Sequence, residues 1–170
     1  MSVRAILLAA VVAYQIGMLV FGPLDRIFDT RKRIAITGTL MIAAILATLA
    51  LWEQAPLWMA VGSIMGIGFL SASSTMVMTH GRGIFPDRLI GRGMATMNTS
   101  VMLGVACMQT LSGVIVGAFT PLADGARSED AYRTLFGFMC AVLLLAVSVY
   151  SRAVDVRPSD ELRARRAKQR

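Results

Sequence analysis

Five stretches of this chain are long, apolar and without charge: Ala5 to Phe21, Ile34 to Trp52, Leu57 to Thr79, Gly93 to Phe119 and Leu135 to Ser151. At the rise of an α-helix each is long enough, or nearly so, to cross a bilayer core of about 30 Å. An Asp, Lys or Arg at the centre of a membrane helix costs roughly 2.5 to 3.5 kcal/mol on insertion scales. The charged residues collect in the gaps between the stretches, where that penalty falls away. With 56% of 170 residues hydrophobic, the apolar surface exceeds what one small soluble core can hide. The expectation is an all-α membrane protein of five transmembrane helices over residues 1–151, followed by a basic tail over 152–170.

Orientation follows from the basic residues. Successive loops on alternate sides gather Arg26, Arg31, Lys32 and Arg33 with Arg82, Arg88 and Arg92 and with the tail. Of the 17 Lys and Arg, only Arg4, Arg127 and Arg133 fall on the other side. The positive-inside rule makes the crowded side cytosolic, with the N-terminus outside and the C-terminus inside, in a plasma membrane of the bacterial inner type. The net charge of +7 does not imply nucleic acid, because the basic residues interrupt apolar spans instead of covering one face of a soluble domain. Membrane lipids are the expected contact of the tail, whose basic residues each contribute about 1 kcal/mol near an anionic leaflet. An outward N-terminus before an odd number of spans, with no cleavable leader, suggests sequence upstream. Glu53 to Pro56 is a short turn that folds the second and third spans into a hairpin. Cys107 and Cys140 lie inside spans and read as apolar thiols, so no cofactor and no metal site is expected.

The first basic loop reads Gly22-Pro23-Leu24-Asp25-Arg26-Ile27-Phe28-Asp29-Thr30-Arg31-Lys32-Arg33. It resembles the glycine, Asp-Arg and basic-cluster signature that joins the second and third helices of each half in major facilitator superfamily transporters. Phe85-Pro86 followed by Gly91-Arg92-Gly93-Met94-Ala95 resembles that family's link between its tenth and eleventh helices, and Leu103-Gly104 through Ser112-Gly113 resembles the eleventh. On the family plan the five spans become helices eight to twelve, with the sidedness that the charges give independently. Two departures stand out. Gly22 and Asp25 are one residue closer than usual, and Asp29-Thr30 stands between Asp25-Arg26 and the basic cluster, without the signature's second glycine. The resemblance implies transport of a small-molecule substrate by alternating access, a substrate site between two halves near the midplane, and an N-terminal half as partner.

Several residues are candidates for function. Gly22, Asp25, Arg26, Arg31 and Lys32 form a candidate gating loop, where a carboxylate can accept helix N-terminal amides and an arginine can pair with a carboxylate. Solvated topology charges are the other reading. Gly62 and Gly66 form a small-xxx-small pair for close helix approach. Gly68, Ser71, Thr75 and Thr79 share another face that can line a cavity, although such hydroxyls also satisfy themselves on carbonyls one turn back. Asn98 and Gln109 share one face about 16 Å apart along the helix axis. Their amides suit a polar path or interhelical hydrogen bonds. Gln15 is a similar polar intrusion in the first span, and Gly113 and Gly117 belong to a packing seam in the fourth.

No Asp, Glu, Lys or Arg lies near the middle of a span, so a proton-coupled carrier built on this segment takes its titratable group from other helices. His80, the sole histidine, sits where the third span meets a basic loop and reads as an interfacial residue. No nucleophile, metal or phosphate-loop pattern has its required context, so an enzyme is not expected. A free-standing membrane scaffold, using glycine and serine faces for helix association, is the alternative to a transporter. Single cysteines introduced beside Arg31 and beyond Arg152 are expected to react with an impermeant maleimide from the same face of the membrane. Labelling from opposite faces would sink the topology.

Overall fold

A computed structural model describes residues 3–121, 127–155 and 158–159. Most of the basic tail, and the centre of the loop between the fourth and fifth spans, lie outside the described residues. The helices are α1 (Val3–Ile27), α2 (Lys32–Leu51), α3 (Leu57–Ser71), α4 (Thr75–Ile84), α5 (Ile90–Gly117) and α6 (Glu129–Tyr150). A 3-10 turn at Ala72–Ser74 joins α3 to α4, so Leu57–Ile84 crosses as one interrupted span. Five helical spans are long and apolar enough to cross a membrane, as the charge-free stretches require. In hydrocarbon only a structure that satisfies its own backbone survives, and here helices do so.

The helix ends depart from the apolar stretches in instructive ways. Helix α1 continues through Gly22 and Pro23 to Ile27, instead of ending at Phe21. Gly22, Asp25 and Arg26 are therefore helical, and the connecting loop shrinks to the residues from Phe28 to Arg31. Proline removes one amide donor but leaves the helix intact where the neighbouring turns hold it. Asp29 makes the reversal with φ 47°, a left-handed conformation that Asp tolerates better than most residues. This is how the chain turns without the second signature glycine. Helix α6 begins at Glu129, ahead of the apolar run, because Glu129 and Asp130 in its first turn face the positive end of the helix dipole.

Packing is dominated by two antiparallel or parallel neighbours: α2 with α6, and α1 with α3. The buried cluster is Phe21, Ile34, Ala35, Leu70, Ala72 and Met76, so it lies where α1, α2 and the α3–α4 span meet. Phe21 and Phe69 stack at 5.5 Å between centroids, tilted by 50°. The close crossings are made by glycines other than those expected. A Cβ on Gly17 would strike the Phe69 carbonyl, and one on Gly68 would sit 2.8 Å from the Ala10 carbonyl oxygen. Gly38 likewise admits the side chain of Ser73 from the 3-10 turn. Such contacts, rather than a hydrophobic drive between helices, hold membrane spans together.

Of the expected packing glycines, Gly66 alone meets a side chain, with Ile45 3.2 Å from its Cβ position. Gly62, Gly113 and Gly117 have nothing within 4 Å of theirs among the described residues. Among the described residues the faces they occupy are open. The helix–helix approach depends on backbone contact at the other glycines, so overpacking there is expected to destabilise by about 1–3 kcal/mol. Gly17→Val and Gly68→Val should lower the detergent unfolding midpoint, followed by circular dichroism, while Gly62→Val should leave it within error.

Candidate functional site

The N-terminus of one helix exposes amide donors and the C-terminus of another exposes carbonyl acceptors. Because α2 and α6 run antiparallel, these complementary ends lie side by side, and each helix caps the other. At the end bearing the basic loop, Lys32 Nζ donates to the carbonyls of Ser151 at 2.6 Å and Ala153 at 2.7 Å, just past α6. In return Asp155 accepts from the Lys32 amide at 3.4 Å and from the Thr30 hydroxyl at 2.7 Å. Thr30 in turn accepts from the Arg33 amide at 3.3 Å, as a capping residue does. At the opposite end Arg133 Nε donates to the Ala50 carbonyl at 3.0 Å, and the Gln54 amide donates to Glu129 at 2.7 Å. Arg133 also faces Glu53 at 3.5 Å.

Asp25 and Arg31 supply the candidate latch. Arg31 Nε donates to Asp25 Oδ2 at 3.2 Å, and both side chains are nearly sealed, with exposures of 8% and 11%. The partner of Asp25 is thus the first residue of the basic cluster. Arg26 points into the open, and Gly22 has no neighbour within 4 Å of its Cβ position among the described residues. The short Phe28–Thr30 reversal explains the choice. It returns the chain so that Arg31, at the start of α2, lies against the last two turns of α1. Lys32 is also drawn inward, as a cap for α6 rather than a contact for lipid headgroups.

His80 is the largest departure from expectation. It stands at the membrane-edge position the sequence implies, yet it is one of the most buried side chains, with 1% exposure. Nε2 lies 2.8 Å from the Val154 carbonyl, and Nδ1 lies 2.7 Å from the Tyr150 hydroxyl. A carbonyl only accepts, so Nε2 carries the proton, and in the neutral ring Tyr150 donates to Nδ1. The two rings meet edge to face at 5.6 Å. Tyr150 closes α6, and Val154 follows it, so both partners come from a segment some seventy residues away in sequence. Only a reading that paired the third span with the chain beyond the fifth could have found them.

The candidate cavity residues are not gathered at one point. Ser71, Thr75 and Thr79 each bond a carbonyl one turn back, at 2.6 Å to Ile67, 2.8 Å to Ala72 and 3.0 Å to Thr75. Their hydroxyls are half-buried and help hold the interrupted span. Gln15 is exposed on α1, and Asn98 and Gln109 are exposed on α5. On α5 the amides belong to one stripe with Met102, Val105 and Ser112, since these positions recur at helical spacing. Gln109 and Ser112 line an open groove of about 520 Å³ with Gly104, Val105, Met108 and Met139 of α6. Helix α5 packs chiefly on α4 and α6, where Gly93 receives Phe85 and Gly81 receives Met97. Its remaining surface carries a line of amides and hydroxyls that lipid does not favour.

Matching over residues 2–170, essentially the whole chain, is the Major Facilitator Superfamily. The chain belongs to that family. No curated protein and no solved structure matches it. The assignment agrees with five apolar spans and with Gly22, Asp25 and Arg26 at the basic end of α1, and it makes the protein an integral membrane transporter of the major facilitator type. The family is composed of transporters and not of enzymes, in keeping with the lack of a catalytic pattern. The Asp25–Arg31 pair ties the end of α1 to the start of α2. Removing one partner of a buried ion pair leaves the other charge stranded, at a cost of about 3–5 kcal/mol. Asp25→Ala and Arg31→Ala are each expected to destabilise strongly in a detergent unfolding titration, and the double variant by clearly less than their sum.

Proposed function

We propose that the chain forms most of one rocking half of a secondary transporter, which moves a small molecule by alternating access across the bacterial inner membrane. In this reading the five spans are helices eight to twelve of a twelve-helix plan, and the basic end faces the cytosol. The observation that carries it is the stripe of exposed Asn98 and Gln109 with half-buried Ser112 on α5. Amides left facing hydrocarbon are costly, so that face belongs against another polar helix or a watery path. An N-terminal half supplies both: one wall of the path, and the surface that covers the open glycines Gly62, Gly113 and Gly117. Gln15 on α1 is a single exposed amide among the apolar Val11, Val12 and Leu19.

The Asp25–Arg31 contact supports a latch role. It is a polar bond that can be made in one arrangement of α1 and α2 and broken in another, which is the kind of two-state element a rocking carrier needs. A scaffold without transport would also expose small-residue faces, but it has no use for amides aligned along one helix at membrane depth.

Cysteine scanning of α5 tests the path. With Cys107 and Cys140 replaced by serine, cysteines at Asn98, Gln109 and Ser112 in the membrane-embedded protein are expected to react with an impermeant maleimide. Cysteines at Leu103 and Val114, on the opposite face and 64% and 65% exposed in the isolated chain, should stay unreactive in lipid. Equal protection of both sets would overturn the proposal. Liposomes containing only this chain should show no solute uptake above empty liposomes; robust uptake would mean that the second half is dispensable.

A further inference from the structure

Three helices of this chain end at the basic face within reach of one short segment, residues 151–155, which follows α6. That segment is tied on each side. Toward α2, Asp155 binds Thr30 and the Lys32 amide, and the carbonyls of Ser151 and Ala153 bind Lys32 Nζ. Toward α4, the Val154 carbonyl binds His80, whose other nitrogen holds Tyr150 at the end of α6. One residue further out in the fold, the Asp29 carboxylate accepts from the amide and hydroxyl of Ser159 at 2.9 and 2.7 Å. Helix α5 carries no such tie among the described polar contacts; Met97 of α5 packs on Gly81 of α4, and Phe85 of the connection packs on Gly93 of α5.

Below the segment lies the buried cluster. Met76 is one helical turn deeper than His80 on α4 and is 4% exposed, against Ile34 and Ala35 of α2. The segment is open at Ser151, Arg152 and Val154, the last 81% exposed although its carbonyl holds the imidazole, and half-buried at Ala153 and Asp155. An exposed chain fastened by hydrogen bonds above a closed apolar seam has the construction of a strap. Its bonds are individually weak in net terms, so it can be released without unfolding what lies beneath.

We infer that residues 151–155 are a strap that fastens the basic ends of α2, α4 and α6 together, with His80 as its buckle, and that its release opens the seam between α2 and α4 to water at that end. This regulates the rocking half described above and rests on the reading that the basic end faces the cytosol. His80 acts here as a positioning residue. It touches no substrate; it aligns the Val154 carbonyl and the Tyr150 hydroxyl from one ring.

The test is a reporter cysteine at Met76 in the full chain, with Cys107 and Cys140 replaced by serine, in inside-out membrane vesicles. A second reporter at Val154 calibrates access to that face. An impermeant maleimide is expected to label the Val154 site rapidly and the Met76 site slowly. Asp155→Ala, which removes two of the segment's four bonds toward α2 and leaves those of Lys32 Nζ, should raise the Met76 labelling rate at least about fivefold, on the scale of one lost hydrogen bond. His80→Ala should do the same, whereas His80→Gln, whose amide can still donate to the Val154 carbonyl, should stay within about twofold of the parent. His80→Leu, which fills the space without a donor, should follow His80→Ala. An unchanged rate in Asp155→Ala overturns the strap, and because that change leaves no buried cavity, it answers even if the His80 variants fail to fold. Parental rates in His80→Leu would equally overturn the buckle, leaving the histidine as mere filling. Labelling at Val154 in right-side-out spheroplasts and not in inverted vesicles would instead refute the cytosolic orientation, and the same rate comparison would then be read from the spheroplasts.

Discussion

The arrangement of this chain depends on what happens to the unpaired backbone groups at helix ends. In lipid a free amide or carbonyl has no water to turn to, so each end must find a partner or reach the interface. The antiparallel pair of α2 and α6 resolves this reciprocally, with Lys32 and Asp155 at one end and Arg133 and Glu129 at the other. The signs agree with the helix dipoles. A carboxylate stands at the start of α2, and an ammonium stands at the finish of α6, each contribution being about 0.3–1 kcal/mol in exposed settings. Between these fastenings the interior needs only close approach, which Gly17, Gly38 and Gly68 permit.

The same logic separates the chain into a fastened part and an unfastened one. Helices α1 and α2 are joined by the Asp25–Arg31 pair, α2 and α6 by their mutual caps, and α4 and α6 by His80. Helix α5 stands apart, with the greater share of its surface uncovered and its polar stripe unmatched among the described residues. The polar surface and the helix with the fewest ties inside the chain thus coincide.

Much of this architecture is legible in the sequence. Charge-free runs mark the spans because the energy of burying a charge in lipid exceeds every local preference, and the distribution of arginine marks the sides. Asp25 is recognisable as a latch candidate at a helix junction, but the sequence suggests its neighbour Arg26 as the partner, and only the reversal at Asp29 brings Arg31 to it instead. What remains hidden is whatever depends on neighbours distant in the chain. Lys32 looks like a topology charge until Ser151 and Ala153 are brought to it, and His80 looks interfacial until Tyr150 and Val154 cover it. Spacing along one helix finds Gly62, Gly113 and Gly117, yet the glycines that matter inside the chain are those that happen to oppose a carbonyl or a serine. Composition equally misses the early start of α6, since Glu129 and Asp130 look like loop residues and act as favourable first-turn charges.

The interruption at Ala72–Ser74 has a mechanical implication. A continuous helix transmits torque and thrust along its axis, and the tighter turn here is clamped by its neighbours, with Ala72 buried against Gly17 of α1 and Ser73 against Gly38 of α2. A displacement of α1 or α2 therefore bears directly on the point where the span changes pitch.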